Sequence, residues 1–197
     1  DRQESWLRQL GNADIPERFR TRTLASYKAT TAGQKRALMF ATEYAEQFPL
    51  VCETGRSAIF CGLPGTGKTH LAIGIALHVM GLRKSAMFTT VQRMIRRAKD
   101  AWRKDSEESE SNVIDMLVYP NLLIIDEIGV QFGSEFEKNF MFDLLNERYE
   151  KRRPTILLSN LTAPEIKTFL GDRIYDRLRE DGGQCVSFDW ASHRGKE

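Results

Sequence analysis

The sequence predicts an α/β fold, a five-stranded parallel sheet with helices on both faces, and three observations carry that prediction. Apolar runs of strand length recur along the chain. Segments of helical periodicity alternate with them, and a glycine-rich turn joins the first such strand to the helix after it.

The strands fall at 57–61, 86–90, 122–126, 155–159 and 185–188. Each is nearly continuous in apolar residues, as expected of parallel strands buried on both faces. Helical patterns occupy 68–80, 91–104, 136–151 and 163–179, the last broken near Gly171. The acidic stretch 105–111 reads as a loop. Residues 1–54 form a lead-in to the core that occupies 55–197, with the turn-like Asp14-Ile15-Pro16-Glu17-Arg18-Phe19 and an amphipathic helix over 33–48. No internal repeat and no second domain are visible.

Composition narrows the function classes. At 197 residues and 41% hydrophobic content the chain suits one domain with a proper core, and 29 basic against 27 acidic residues leave only local clusters to signal a polyanion. Cys52, Cys61 and Cys185 are widely spaced and odd in number. They define neither a disulfide framework nor a zinc site, which fits a reducing cytoplasm. No apolar stretch approaches membrane-spanning length. The chain begins at Asp1 without methionine, as a fragment lacking its N-terminal portion would.

The glycine-rich turn is specific. Gly62-Leu63-Pro64-Gly65-Thr66-Gly67-Lys68-Thr69 matches G-x-x-x-x-G-K-[ST] between a strand and a helix, the context that makes it a phosphate-binding loop. Glycines let successive backbone N–H groups face phosphate oxygens, and the helix start adds its positive dipole end. Gly62, Pro64, Gly65, Thr66, Gly67, Lys68, Thr69 and His70 are the candidate ATP-binding residues, with Lys68 reaching the β and γ phosphates and Thr69 ligating Mg²⁺. Further on, Leu122-Leu123-Ile124-Ile125 ends in Asp126-Glu127, a buried strand opening onto a ligand crevice through two carboxylates. Asp126 is the second metal-side residue and Glu127 the group that polarises the attacking water. Asn160 ends the following strand where it would touch the γ phosphate or that water; by itself an asparagine there is equally a turn residue.

Two arginine clusters follow. Arg173, Arg177 and Arg179 share one short helix, where they pair locally with Asp172, Asp176 and Glu180 or one of them serves a neighbouring subunit's ATP site. Arg93, Arg96, Arg97, Lys99, Arg103 and Lys104 crowd another around Trp102. That pattern suits single-stranded DNA through phosphate neutralisation and base stacking, or a solvated basic face with Trp102 in the core. Ser134 and Phe136 stand where they would face the same strand, though Phe136 would equally begin an apolar helix face.

With these residues in view, the chain resembles the AAA+ domain of DnaC-type replicative helicase loaders, within the wider DnaC and IstB-like group of P-loop ATPases. The resemblance rests on Ile15-Pro16-Glu17-Arg18-Phe19, the phosphate loop, Ile125-Asp126-Glu127-Ile128-Gly129-Val130-Gln131, Asp172-Arg173-Ile174-Tyr175-Asp176-Arg177, and Phe188-Asp189-Trp190 followed by Arg194. It implies an AAA+ fold with a reduced C-terminal lid, Asn160 as sensor 1, Arg177 as an arginine finger acting in trans, and Arg194 as sensor 2. It places adenine contacts around Ile15 to Phe19, and sets the basic helix 91–104 in a DNA channel. The implied activity is ATP hydrolysis coupled to placing a replicative helicase on single-stranded DNA, with self-association through the ATP site. A transposition helper acting on duplex DNA and a recruitment module with negligible turnover are the alternatives. The helicase-binding N-terminal domain usual in that family is absent from this sequence.

Overall fold

A computed structural model describes residues 11–103, 105–130 and 134–192. Five parallel strands, β1 (Ala58–Gly62), β2 (Ala86–Thr90), β3 (Leu122–Ile128), β4 (Thr155–Ser159) and β5 (Gln184–Phe188), form one sheet in the order β2-β3-β4-β1-β5. Side chains alternate across it. Leu122 and Ile124 enter the apolar layer on one face, Leu123 and Ile125 the layer on the other. Both faces are therefore covered over β1 to β4, which is why those strands read as apolar runs, while β5 at the sheet edge is partly exposed.

One face carries α1 (Ala32–Glu46), α2 (Phe48–Thr54) and α3 (Lys68–Gly81). Helix α1 begins with a capping box, Thr31 accepting from the Gln34 backbone while the Gln34 side chain accepts from Thr31. It buries Ala37, Ala41, Tyr44 and Ala45, and the lead-in also adds Ala13, Ile15 and Tyr27 to the same core. The predicted helix 33–48 is α1, ending at Glu46; a second helix, α2, follows with Pro49 in its first turn and stops at the left-handed Gly55.

The other face carries α4 (Val91–Asp100), α5 (Glu110–Val118), α6 (Glu135–Glu150), α7 (Ala163–Leu170) and α8 (Asp172–Arg179). Val91, Met94, Ile95 and Ala98 keep α4 on the sheet, and the helix ends at Asp100, earlier than the predicted span 91–104. The acidic stretch is not wholly a loop. Ser109 accepts a hydrogen bond from the Asn112 backbone at 3.1 Å and starts α5, which buries Val113, Leu117 and Val118. Gly171 (φ 79°) separates α7 from α8 at the predicted break.

Arg148, on α6, is wholly buried. Its guanidinium donates to the carbonyls of Leu117, Val118, Pro120 and Pro154 and to Thr155 Oγ1, tying the end of α5 to the start of β4. Among the described residues no helix is long and apolar enough to cross a membrane.

Candidate functional site

The site lies along the C-terminal ends of β1, β3 and β4. Two glycines show why the loop is spelled as it is. Gly62 has φ 115°, and a Cβ there would collide with the Phe188 carbonyl oxygen. Gly67 has φ 95°, and its Cβ would stand 2.6 Å from the Tyr27 ring. Only glycine fits between these neighbours, so strand β5 and the lead-in pack directly on the loop backbone.

Lys68 is buried. Its ammonium donates to the carbonyls of Gly62 (2.9 Å) and Leu63 (2.5 Å) and lies 5.9 Å from the centre of the Phe188 ring. Thr66 is also buried. Its carbonyl accepts from Tyr27 Oη at 3.2 Å and from Trp190 Nε1 at 3.0 Å, while its hydroxyl donates to the Leu63 carbonyl at 2.8 Å. His70 turns away from the loop towards the lead-in: Nε2 is 2.8 Å from the Thr23 carbonyl and 3.0 Å from Ser26 Oγ, and its ring meets Tyr27 edge-on. Burial lowers its pKa, so the neutral imidazole is favoured, with Nε2–H donating to Thr23. The part of the lead-in that reaches the loop is therefore Thr23 to Tyr27. Ile15 is buried and Phe19 meets Phe88 edge-on, at strand β2 on the sheet edge.

Thr69 and Asp126 come together at the head of the loop: Thr69 Oγ1 donates to Asp126 Oδ2 at 3.1 Å. Asp126 Oδ1 accepts the Glu127 backbone N–H at 2.7 Å. Burial pushes the Asp126 carboxyl above its usual pKa, against the lowering effects of the Glu127 N–H, Thr69 and Lys68. A hydroxyl and a half-buried carboxylate at the phosphate loop are hard oxygen donors, the set that suits Mg²⁺. Glu127 is exposed and takes a left-handed backbone (φ 64°), at a register shift between Ile125 and Ile128 in the pairing of β3 with β4.

Sequence reasoning missed what fixes this bend. Ser159 is buried, and its hydroxyl donates to the Ile128 carbonyl at 2.6 Å while accepting from the Leu161 backbone at 3.1 Å. The Leu161 carbonyl in turn accepts from the Gly62 backbone at 3.0 Å. Asn160 is thereby held, exposed, between the first loop glycine and the Asp126-Glu127 edge. The clue was available as a serine closing the aliphatic run Ile156-Leu157-Leu158. Tyr27 and Trp190 left no comparable signal, because their contacts to Thr66 span 39 and 124 residues.

Cysteine spacing hid another pair. Cys61 and Cys185 are free thiols on adjacent strands with Sγ atoms 3.3 Å apart. A hydrogen bond from Cys185 lowers the Cys61 pKa, and Cys185 is raised correspondingly.

Arg177 lies away from this cluster. It donates to Asn146 Oδ1 at 2.5 Å, stacks 4.7 Å from the Tyr149 ring centre, and lines a small cleft with Ser57 and Thr155 at the opposite ends of β1 and β4. Arg194 and Gln131 lie outside the described residues.

The residues singled out for DNA contact cluster on α4, the turn after it and the start of α6, but with acidic company. Glu108 holds Arg97 in a two-pronged contact (3.0 and 2.8 Å), Glu137 holds Lys99 at 2.5 Å, and Arg103 stands 3.9 Å from Asp100. Arg96 is exposed, with no ion pair among the described residues. Trp102 is neither core nor bare. It is 57% exposed, meets Phe136 in a tilted contact at 4.2 Å between ring centres, and donates from Nε1 to Glu110 at 2.7 Å. Phe136 also meets Phe140, and Ser134 caps α6 by accepting from the Glu137 backbone at 3.4 Å.

Over residues 8–189 the chain matches the family model described as IstB-like ATP binding protein. It belongs to that family. Among its relatives, the protein named replicative helicase loader DnaC of Buchnera aphidicola subsp. Schizaphis graminum is 36% identical over 187 residues, 95% of this chain and 75% of the relative. The Escherichia coli K12 protein of the same name is 37% identical over 171 residues, covering 87% and 68%. The crystal structure of the DnaC helicase loader superposes with a TM-score of 0.77 at 20% identity, over 88% of this chain and 99% of that one. The replication initiator DnaA bound to AMPPCP and single-stranded DNA gives 0.72 at 19%, over 90% and 52%. The fold of this IstB-like chain is that of the AAA+ P-loop domains, as the sheet order and phosphate loop indicate.

Proposed function

We propose that this protein is an ATP-hydrolysing loader of a replicative helicase onto single-stranded DNA, with hydrolysis completed by a neighbouring copy. The observation that carries the reading is the Lys68, Thr69 and Asp126 cluster at the head of β1 and β3, on a chain closely related to proteins named helicase loaders. Backbone N–H groups of the loop would receive the phosphates and Lys68 would exchange its carbonyl partners for phosphate oxygens. Thr69 and Asp126 would hold Mg²⁺, which when bound neutralises charge on the phosphate oxygens. Glu127 would accept the proton of the attacking water and Asn160 would orient that water.

Arg177 cannot serve its own phosphate loop from the opposite ends of the strands, so its finger role requires a second subunit. Hydrolysis is then a property of the assembly, and Arg194 contributes as sensor 2. Arg96, Arg97, Lys99 and Arg103 would neutralise DNA phosphates, with Trp102 stacking a base and Ser134 and Phe136 bordering the track.

The test mixes two inactive variants. Lys68→Ala, unable to bind nucleotide, and Arg177→Ala, unable to complete a neighbour's site, should each hydrolyse ATP far below wild type, whereas their mixture should regain part of the rate. A mixture no faster than its components would remove the trans finger. Anisotropy with single-stranded and duplex oligonucleotides at fixed salt, with and without ATP analogue, tests the DNA step. Duplex preference would favour the transposition helper.

A further inference from the structure

At the N-terminal edge of the sheet, opposite the phosphate loop, a cavity of about 410 Å³ opens between Cys52, Asn121, Lys151, Arg152, Arg153 and Pro154. Its walls come from α2, the turn before β3 and the turn between α6 and β4. The Asn121 side-chain oxygen accepts from Ser85 N (2.9 Å) and Oγ (3.0 Å), drawing in the turn before β2. Burial raises the Cys52 pKa, against the lowering effects of Lys84 on that turn and of Arg153.

The positive charge here is unusually free. Lys151 is paired with Glu147 at 2.7 Å, but Arg152 reaches only the Glu53 carbonyl at 3.5 Å. Among the described residues, Lys84, Arg152 and Arg153 have no carboxylate ion pair. Close by, Pro154 accepts from the buried Arg148, whose five hydrogen bonds all go to uncharged oxygens. Arg148 has no carboxylate partner among these contacts; its charge is met by carbonyl oxygens that include the negative C-terminal end of α5, just behind the cavity wall at Pro154. The rim is also fixed. Arg152 has φ 50°, and its Cα lies 2.9 Å from where a Gly55 side chain would begin.

No aromatic ring is among the lining residues, so a base has no stacking surface there. The guanidinium groups of Arg152 and Arg153 and the Lys151 ammonium, gathered in one concavity, instead select dense negative charge. We propose that this basal cavity is a binding site for a compact oligophosphate, a ligand with at least two adjacent phosphate groups. A free oligophosphate and the phosphate tail of a nucleotide share that chemistry. The site is separate from the phosphate loop and does not depend on the loader reading.

Cys52 lines the cavity and reports on it directly. The test measures alkylation of Cys52 in the full chain by peptide mass spectrometry, with and without tripolyphosphate. Tripolyphosphate should slow alkylation about tenfold, and inorganic phosphate should have little effect. The double variant Arg152→Ala/Arg153→Ala should lose the protection at unchanged melting temperature, and Lys84→Ala should weaken it about threefold. Protection should persist in Lys68→Ala, because the phosphate loop is at the other edge. ATP protecting Cys52 in that variant would identify a nucleotide tail as the source; protection by tripolyphosphate alone would identify the free ion. Unprotected Cys52, protection that survives the double variant, protection that disappears with Lys68→Ala, or stronger protection by an oligonucleotide lacking terminal phosphates would each overturn the site.

Discussion

The phosphate-loop edge and the basic face of α4 both present cations to a polyanion, yet they are built on different principles. At the loop edge, Lys68 and Thr66 are buried and backbone groups do most of the positioning. On α4, Arg97 and Lys99 are exposed and held by carboxylates of Glu108 and Glu137. A buried constellation is fixed before its ligand arrives, whereas an exposed ion pair can trade one anion for another at little cost. Substitutions at the first should therefore have large effects and at the second small ones.

The largest effect should come from Asp126→Asn. Metal-dependent turnover should fall to background in a phosphate-release assay. The same change should raise the melting temperature of the ligand-free protein. Burial raises the Asp126 pKa, so the folded chain holds that proton more tightly than the unfolded chain, and the ionised form costs stability above the raised pKa. Asparagine removes that charge, and the Thr69 hydroxyl can turn to accept from the new amide. The stability gain should shrink as pH falls through the carboxylate range; an unchanged gain would mean that the charge is not its cause.

Next in size is Glu127→Gln, which should keep nucleotide affinity and lower turnover by about a hundredfold or more, as loss of a general base does. Equal turnover would return Glu127 to the role of a strand-end bend. Ser159→Ala touches no ligand and should still cost about tenfold in turnover. Its hydroxyl holds the Ile128 carbonyl across the register shift that sets Glu127, and its loss should also cost about 1 kcal/mol of stability. Ser159→Thr, which retains the hydroxyl, should restore much of the rate. If both variants lose stability while turnover stays normal, Ser159 is structural only.

The same contrast explains what could be read from sequence. The phosphate loop was legible because backbone geometry admits few residue types: Gly62 and Gly67 stand where any side chain would strike Phe188 or Tyr27. Strands β1 to β4 were legible because both of their faces are buried, whereas the edge strand β5 is partly exposed and was read from its shorter apolar run. Contacts that join distant segments were not. Tyr27 and Trp190 converge on one carbonyl, and Cys61 meets Cys185, through tertiary placement alone. Helix α5 was missed because acidic residues preceding Ser109 masked its cap and its Val113 to Leu117 apolar face. On α4 the basic residues were visible, but their partners lay beyond the helix.

Those partners give the smallest and most discriminating prediction. If α4 contacts DNA, Arg97 must leave Glu108 for a phosphate. Glu108→Gln removes the competing charge and should tighten single-stranded DNA binding about two- to threefold, the scale of one exposed ion pair. The gain should fade at high salt, where both the pair and the phosphate contact are screened. Trp102→Ala should weaken binding in the same assay. The two changes act through different physics, charge and stacking, so opposite shifts at equal ATP affinity would place the strand across α4. An unchanged affinity in Glu108→Gln would mean that Arg97 serves to anchor the segment ahead of α5, and the DNA track would then have to run over another surface.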